Sequence, residues 1–246
     1  MKLHDKKVLV TGGTEGIGLA LVEALVARGC HVVTCSRHAP AVAASDSSRV
    51  THVCCDLTTD EGRMGLVTLL TQQHRDLSVV IHNAAVQHLV SFMDDRYADI
   101  QTQTLQEVAL NFTAPVLLSA ALMPLLRGQK EAVIINITTG LALAPKRSSP
   151  VYCATKAAVR SFTKSLRYQV EQTGGSLRIV EALPPLVDTR MTAGRGAGKV
   201  SPQSVAQALI AGVEAGQNEI YIGKSKLLRV LYRLMPSLVE KILKTW

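Results

Sequence analysis

The stretch KKVLVTGGTEGIG, residues 6–18, restricts the fold of this chain more than any other. A short β-branched run reaches Thr11, and glycines stand at 12, 16 and 18. An apolar repeat of period 3.6 then runs from Ile17 to Val26 and stops at Gly29. That order predicts strand, glycine turn, helix. Glycines at this spacing let the backbone approach a ligand closely. The helix behind them aims N–H groups and a partial positive charge at that ligand, which suits a pyrophosphate. An ordinary βα turn is also glycine-rich, so the assignment needs support from the rest of the chain.

Six more strand-like runs follow: HVVTCSR (31–37), RVTHVCCDL (49–57), LSVVIHNAA (77–85), EAVIINITTG (131–140), LRIVEALPPLVDTR (177–190, closed by Pro184 and Pro185) and EIYIG (219–223). Helical patterns separate them, the longest over Ile100–Leu126 with Asn111 and Pro115 inside. Alternating strands and helices predict an α/β fold with a parallel sheet. No composition shift marks a linker, so residues 1–246 read as one domain. Residues 190–200 form a glycine-rich mobile lid, and 224–246 a basic amphipathic tail broken at Pro236.

In open parallel sheets ligands sit beyond the carboxyl ends of the strands. Ser36 and Arg37 fall there, and Arg37 offers a partner for a ribose 2′-phosphate where an acidic residue would hold a free hydroxyl, which favours NADP(H) over NAD(H). Glu15, inside the glycine turn, argues mildly the other way, and a solvated loop charge is the plain alternative for Arg37. Asp56 and Asn83-Ala84-Ala85 stand at two further strand ends as candidates for adenine and ribose contacts, Asp56 equally as a helix-start residue. The fifth strand ends in two hydroxyls, Thr138 and Thr139.

SPVYCATK places Tyr152 and Lys156 four residues apart, on one face of a helix. A lysine beside a tyrosine favours the phenolate and brings the phenol towards the working range of a general acid or base. An asparagine buried in an apolar helix, as Asn111 would be, must have its amide satisfied; it is expected to hold a water, to kink the helix, or both.

The net charge of +8 is spread along the chain. Its densest region, the tail, alternates cations with leucines instead of stacking aromatics, which argues against nucleic acid. For the tail, membrane association ranks below a helix pair that covers the pocket or an oligomer interface. The five cysteines contain no C-x-x-C pair and read as buried free thiols, with neither a disulfide framework nor a metal site. The N-terminal apolar run is too short for a signal peptide or span, which favours the cytoplasm.

Taken together, TGGTEGIG, Asp56, HNAA (82–85), Asn111 and Y-x-x-x-K resemble the short-chain dehydrogenase/reductase family across nearly the whole chain. The resemblance implies a doubly wound Rossmann-like domain whose seven-stranded parallel sheet has the order 3-2-1-4-5-6-7, with helices on both faces, and commonly a homodimer or homotetramer. The cofactor set it implies is Gly12, Thr14, Gly16, Ile17, Gly18, Ser36, Arg37, Asp56, Leu57, Asn83, Ala84, Tyr152, Lys156, Pro184, Val187 and Thr189. Three positions depart from the family pattern: Thr139 replaces the catalytic serine, and Ala85 and Pro185 replace glycines. Threonine keeps the hydroxyl and adds a methyl beside the reacting carbonyl.

The expected activity is reduction of a ketone or aldehyde by NADPH, with the oxidative direction open to the same residues. Tyr152 protonates the alkoxide, Lys156 lowers the Tyr152 pKa and binds the nicotinamide ribose, Thr139 holds the substrate oxygen, and Asn111 holds a water. A cofactor-binding sensor or scaffold without turnover is the alternative. The substrate pocket is expected from Val86–Phe92, 140–150 and Leu186–Val200. In the last of these, Arg190, Arg195 and Lys199 suggest an acidic or phosphorylated substrate such as an acyl-carrier thioester, or else a solvated lid.

Overall fold

The computed structural model describes residues 1–38 and 47–244. Residues 39–46, in the stretch rich in Ala and Ser, and the last two residues of the sequence lie outside the described residues. Strands β1 (Lys7–Thr11), β2 (His31–Ser36), β3 (Val50–Cys54), β4 (Leu77–His82), β5 (Ala132–Ile137), β6 (Leu177–Leu183) and β7 (Glu219–Tyr221) form one sheet. Its order is β3-β2-β1-β4-β5-β6-β7 and its pairings are parallel, as the resemblance implied. Helices α1 (Gly16–Val26) and α6 (Pro202–Glu214) cover one face; α2 (Asp60–Gln73), α4 (Ala114–Arg127) and α5 (Pro150–Gln172) cover the other.

Side-chain alternation along each strand divides the core in two. Val8, Val10, Val133 and Ile135 pack towards α1 and α6, whereas Leu9, Val33, Val80 and Ile134 pack towards α2 and α4. Near the carboxyl ends of β5 and β6 the second face turns polar. There Asn136, Thr138 and Glu181, all buried, meet α5.

Strands β2, β4, β5 and β6 end before the sequence runs do, at Ser36, His82, Ile137 and Leu183. β3 stops at Cys54, before Asp56, and β7 stops at Tyr221. The expected Ile100–Leu126 helix begins earlier, as α3 (Tyr97–Val108), and joins α4 through a π-helical turn at Ala109–Thr113 that contains Asn111. Its first two residues, Tyr97 and Ala98, are exposed and lie ahead of the apolar pattern. The whole run Tyr97–Arg127 is long and apolar enough to cross a membrane by composition. In this fold Leu118, Leu122 and Leu126 bury its face against the sheet. The tail forms α7 (Ser225–Leu234) and α8 (Pro236–Leu243). Of the cysteines expected to be buried, Cys30, Cys35 and Cys153 are, but Cys54, at the end of an outer strand, is exposed.

Candidate active site

The glycine turn leaves β1 at Thr11, and its shape is fixed by crowding. Gly12 and Gly16 have φ of 68° and 55°, values that disfavour a side chain. A Cβ on Gly18 would lie 2.0 Å from the Gly12 carbonyl oxygen, and one on Gly13 within 2.1 Å of Thr34 Oγ1. The Thr34 hydroxyl accepts from Gly13 N–H and donates to the Val10 carbonyl.

Asn83, expected among the cofactor contacts, spends its amide on the turn itself, donating to the carbonyls of Thr11 (2.9 Å) and Gly12 (3.0 Å). The Thr11 hydroxyl accepts from the N–H groups of Asn83 and Ala84. Thus β4 is stitched to the β1 turn, and Asn83 acts on a ligand there by positioning backbone. Thr11, Gly13 and Thr34 were missed in the sequence reading; only the threonine directly before Gly12 carried a local signal.

Helix α1 starts at Gly16 behind Glu15, which forms no side-chain cap. The first-turn N–H groups therefore have no capping side chain, and no Cβ on Gly12, Gly16 or Gly18 stands between them and a ligand, which suits a pyrophosphate. Thr14 and Ile17 line the same turn. Thr189 reaches across it: a Cβ on Gly16 would lie 3.0 Å from Thr189 Cγ2. Beside Thr189, Arg190 pairs with Glu15 at 3.2 Å.

At the ends of β2 and β3, the Ser36 hydroxyl donates to the His38 carbonyl (2.6 Å) and lies 2.8 Å from His52 Nε2, while Arg37 is exposed. Burial raises the Asp56 carboxyl, but hydrogen bonds from the Thr58 N–H and hydroxyl, with the Arg37 charge, outweigh it and leave the pKa lowered. Arg37 and Asp56 thus share one end of the sheet. Leu57 beside them is buried, as are Pro184 and Val187 after β6.

On α5, Tyr152 and Lys156 are both buried, 8% and 4% exposed, so they lie inside the protein instead of on a solvated helix face. Lys156 Nζ donates to the Ile137 carbonyl (2.9 Å) and sits 5.9 Å from the Tyr152 ring centre. Burial pushes the Lys156 ammonium down to about 8. Tyr152 is raised above its ordinary value by burial first, then by Cys153 and Glu107, with Arg195 offsetting in part. In the protein alone, burial outweighs the lowering expected from Lys156 together with a bound cofactor's charge. Desolvation penalises the charged form of both groups, and in the protein alone it wins.

Asn111 is 1% exposed, and its amide makes three hydrogen bonds. Its Oδ1 accepts from Val86 N–H, and its Nδ2 donates to the Val86 carbonyl and to Thr155 Oγ1, which in turn donates to the Tyr152 carbonyl. The amide ties the π turn to the loop after β4 and to α5, and the expected irregularity of the helix falls at this residue.

Thr138 donates to the buried carboxylate of Glu181 (2.6 Å), which pairs with Arg160 of α5 at 2.5 Å. Arg160 also donates to the Tyr221 hydroxyl, and that hydroxyl to Glu219. This network anchors the end of β5. Thr139, next along, is only half-buried; its Oγ1 accepts from Leu141 N–H (3.3 Å), which leaves its own proton available to a ligand. The signal for the network was the one acid of β6, Glu181, set between Val180 and Ala182.

The three expected pocket segments meet. Val90 N–H donates to the Ser148 carbonyl, and Arg195 donates to Gln87 Oε1. Glu107 of α3, buried, accepts from His88 N–H beneath them. The cations of residues 190–200 each meet a protein group, Arg190 while remaining 84% exposed. Arg190 pairs with Glu15, Arg195 binds Gln87 and the Met191 carbonyl, and Lys199 binds Asp188 and the Thr192 carbonyl. Val187 and Val200 form a parallel bridge that closes the segment's base. Thr189 caps the short 3-10 turn Arg190–Thr192.

Residues 6–199 match the short chain dehydrogenase family. An uncharacterized oxidoreductase of Bacillus subtilis, DltE, is 35% identical over 231 residues, which is 89% of each chain. An uncharacterized oxidoreductase of Staphylococcus aureus is 30% identical over 217 residues, covering 85% of this chain and 90% of its own. Among solved structures, a short chain dehydrogenase from Burkholderia cenocepacia in complex with NADP superposes with a TM-score of 0.87 at 24% identity over 100% of both chains. A short chain dehydrogenase/reductase from Burkholderia phymatum in complex with NAD gives 0.84 at 18% identity, covering 97% of this chain and 96% of that one. With a family match over most of its length and relatives aligned from end to end, this chain belongs to the short-chain dehydrogenase/reductase family of NAD(P)-dependent oxidoreductases acting on C–OH and C=O groups.

Proposed function

We propose that the protein reduces a ketone or aldehyde to an alcohol with NADPH. The observation that carries this reading is the buried Tyr152–Lys156 pair, in which burial keeps the phenol protonated at neutral pH. A protonated tyrosine is an acid ready to donate, which suits reduction. When bound, the nicotinamide supplies the hydride.

The chain's own residues do the rest. Tyr152 Oη gives its proton to the developing alkoxide, and the Thr139 hydroxyl donates to the same oxygen, stabilising charge where it forms. Lys156, with a pKa near 8 and one N–H committed to Ile137, has a proton to return to Tyr152 close to neutral pH. Asn111 fixes the π turn beneath them, and carbonyls loosened by that turn are the place for a water that resupplies Lys156. Gly12, Thr14, Gly16, Ile17 and Gly18 with the uncapped start of α1 receive the pyrophosphate. Asp56, Leu57 and Ala84 border the adenosine, and Pro184, Val187 and Thr189 the nicotinamide end, with 190–200 as the lid.

Similar folds are described with NADP and with NAD, so the fold does not choose between them. Arg37 supports NADPH. Glu15, which would repel a 2′-phosphate, is drawn to Arg190.

The test is Tyr152→Phe, assayed by NADPH oxidation over a panel of ketones, aldehydes and acyl thioesters. Turnover should fall by a factor of about 100 to 10,000 while NADPH binding persists. Undiminished turnover with every accepted substrate would remove Tyr152 from the reaction. Nucleotide binding without any turnover by the unaltered protein would favour the sensor.

A further inference from the structure

We infer that the outer face of α7 and α8 docks on an anionic lipid surface. The inner face of this pair is accounted for: Val239 and Leu243 pack with Leu228, Leu231, Tyr232 and Ala144, and Leu228 Cδ2 lies 2.4 Å from where a Cβ on Gly140 would be. A second apolar stripe faces outward. On α7, Leu227, Val230 and Leu234 recur at i, i+3 and i+7 and are 62%, 52% and 71% exposed. Met235 and Leu238 continue the stripe across the Pro236 break.

Beside that stripe runs a basic one. Lys226, Arg229 and Arg233 share the i, i+3, i+7 spacing on α7, and Lys241 and Lys244 follow on and after α8. Arg229 lies over the Tyr221 ring and 4.0 Å from Glu219. Lys226, Arg233, Lys241 and Lys244 are all exposed. From Lys224 to the C-terminus there are six basic residues and one acid, Glu240.

The charge chooses the occupant. A second copy meeting this face about a twofold axis would bring two basic flanks together with one acid each to offset them. An anionic headgroup layer complements the flank, and the leucines between the cations reach the acyl boundary. Because the inner face of α7 rests on the loop that follows Thr139, docking would set the proposed active site about one helix diameter, ~10 Å, behind the bilayer surface.

The full chain is floated with vesicles of phosphatidylcholine alone and with vesicles of equal parts phosphatidylcholine and phosphatidylglycerol. It should float with the anionic vesicles and stay behind with the neutral ones. Replacing Lys226, Arg233 and Lys241 by Gln should weaken binding roughly fivefold per charge removed. Leu227→Ser with Leu234→Ser should abolish it, with thermal melting and NADPH titration unchanged as controls for folding. No flotation with anionic vesicles, or flotation insensitive to both variants, overturns the inference. So does a concentration-dependent dimer in sedimentation that the leucine pair abolishes without any flotation, which would give the face to a second copy.

Discussion

Replacing Glu181 by Gln tests whether the buried network behind Thr139 is an ion pair whose charges depend on each other. Glu181 is fully buried and Arg160 13% exposed in their side chains, with 2.5 Å between Oε2 and Nη1. Breaking such a pair by neutralising one partner typically costs about 3–5 kcal/mol, because the other charge remains in a low-dielectric site. Two features place this case at the lower end. The Gln amide oxygen can still accept from Thr138, and Arg160 keeps the Tyr221 hydroxyl at 3.1 Å and a carboxylate oxygen of Glu219 at 4.0 Å. The expectation is a loss of about 3 kcal/mol, or about 6–12 °C in Tm for a chain of this size.

Equilibrium urea unfolding followed by circular dichroism measures the loss directly. Arg160→Met removes the other charge and keeps most of the stem's volume. Combined with Glu181→Gln it should cost less than the sum of the single changes, with a coupling of about 2 kcal/mol or more. Since Thr138 precedes Thr139, the single Glu181 variant should also lose reductase turnover before it loses NADPH binding. A Glu181→Gln loss under about 1 kcal/mol, or an additive double variant, would refute the pair as the anchor of this strand end.

Three further outcomes follow from the site. Burial lowers Lys156 from 10.5 to about 8, so between those values the unfolded chain binds more protons than the folded one, and stability should rise with pH across that window by about 3 kcal/mol. Lys156→Met should abolish that slope in pH-dependent unfolding, and the reductive rate of the unaltered protein should decline above pH about 8 as the lysine proton is lost. Thr139→Ser should stay within about tenfold of the starting kcat, whereas Thr139→Ala should lose about 100- to 1,000-fold by removing a donor to the alkoxide, read as kcat against KM. Arg37→Asp should lower kcat/KM for NADPH by about tenfold or more, with little loss or a gain for NADH, since one charge-assisted contact to the 2′-phosphate is exchanged for repulsion.

The glycine turn was legible in the sequence because its requirement is local: a Cβ at position 18 would strike the backbone of residue 12, only six residues away. The strand order came with the family resemblance, since no single run specifies its neighbours. What stayed hidden depends on atoms that the fold brings from far apart. Arg190 finds Glu15 across 175 positions, and Arg195 finds Gln87 across 108, pairings that no local run of residues 190–200 announces. The π turn escaped because one extra residue per turn barely disturbs an apolar period of 3.6. The Tyr152–Lys156 pair shows why even a correctly placed pair can be misjudged. A spacing of four residues fixes that ammonium and phenol share a helix face, and in water that alone would pull the phenol down. How far they are desolvated depends on Asn111, Glu107 and the ends of β4 and β5, which close around them only in the folded chain. In the protein alone burial then reverses the sign, holding Tyr152 as an acid and bringing Lys156 down to about 8.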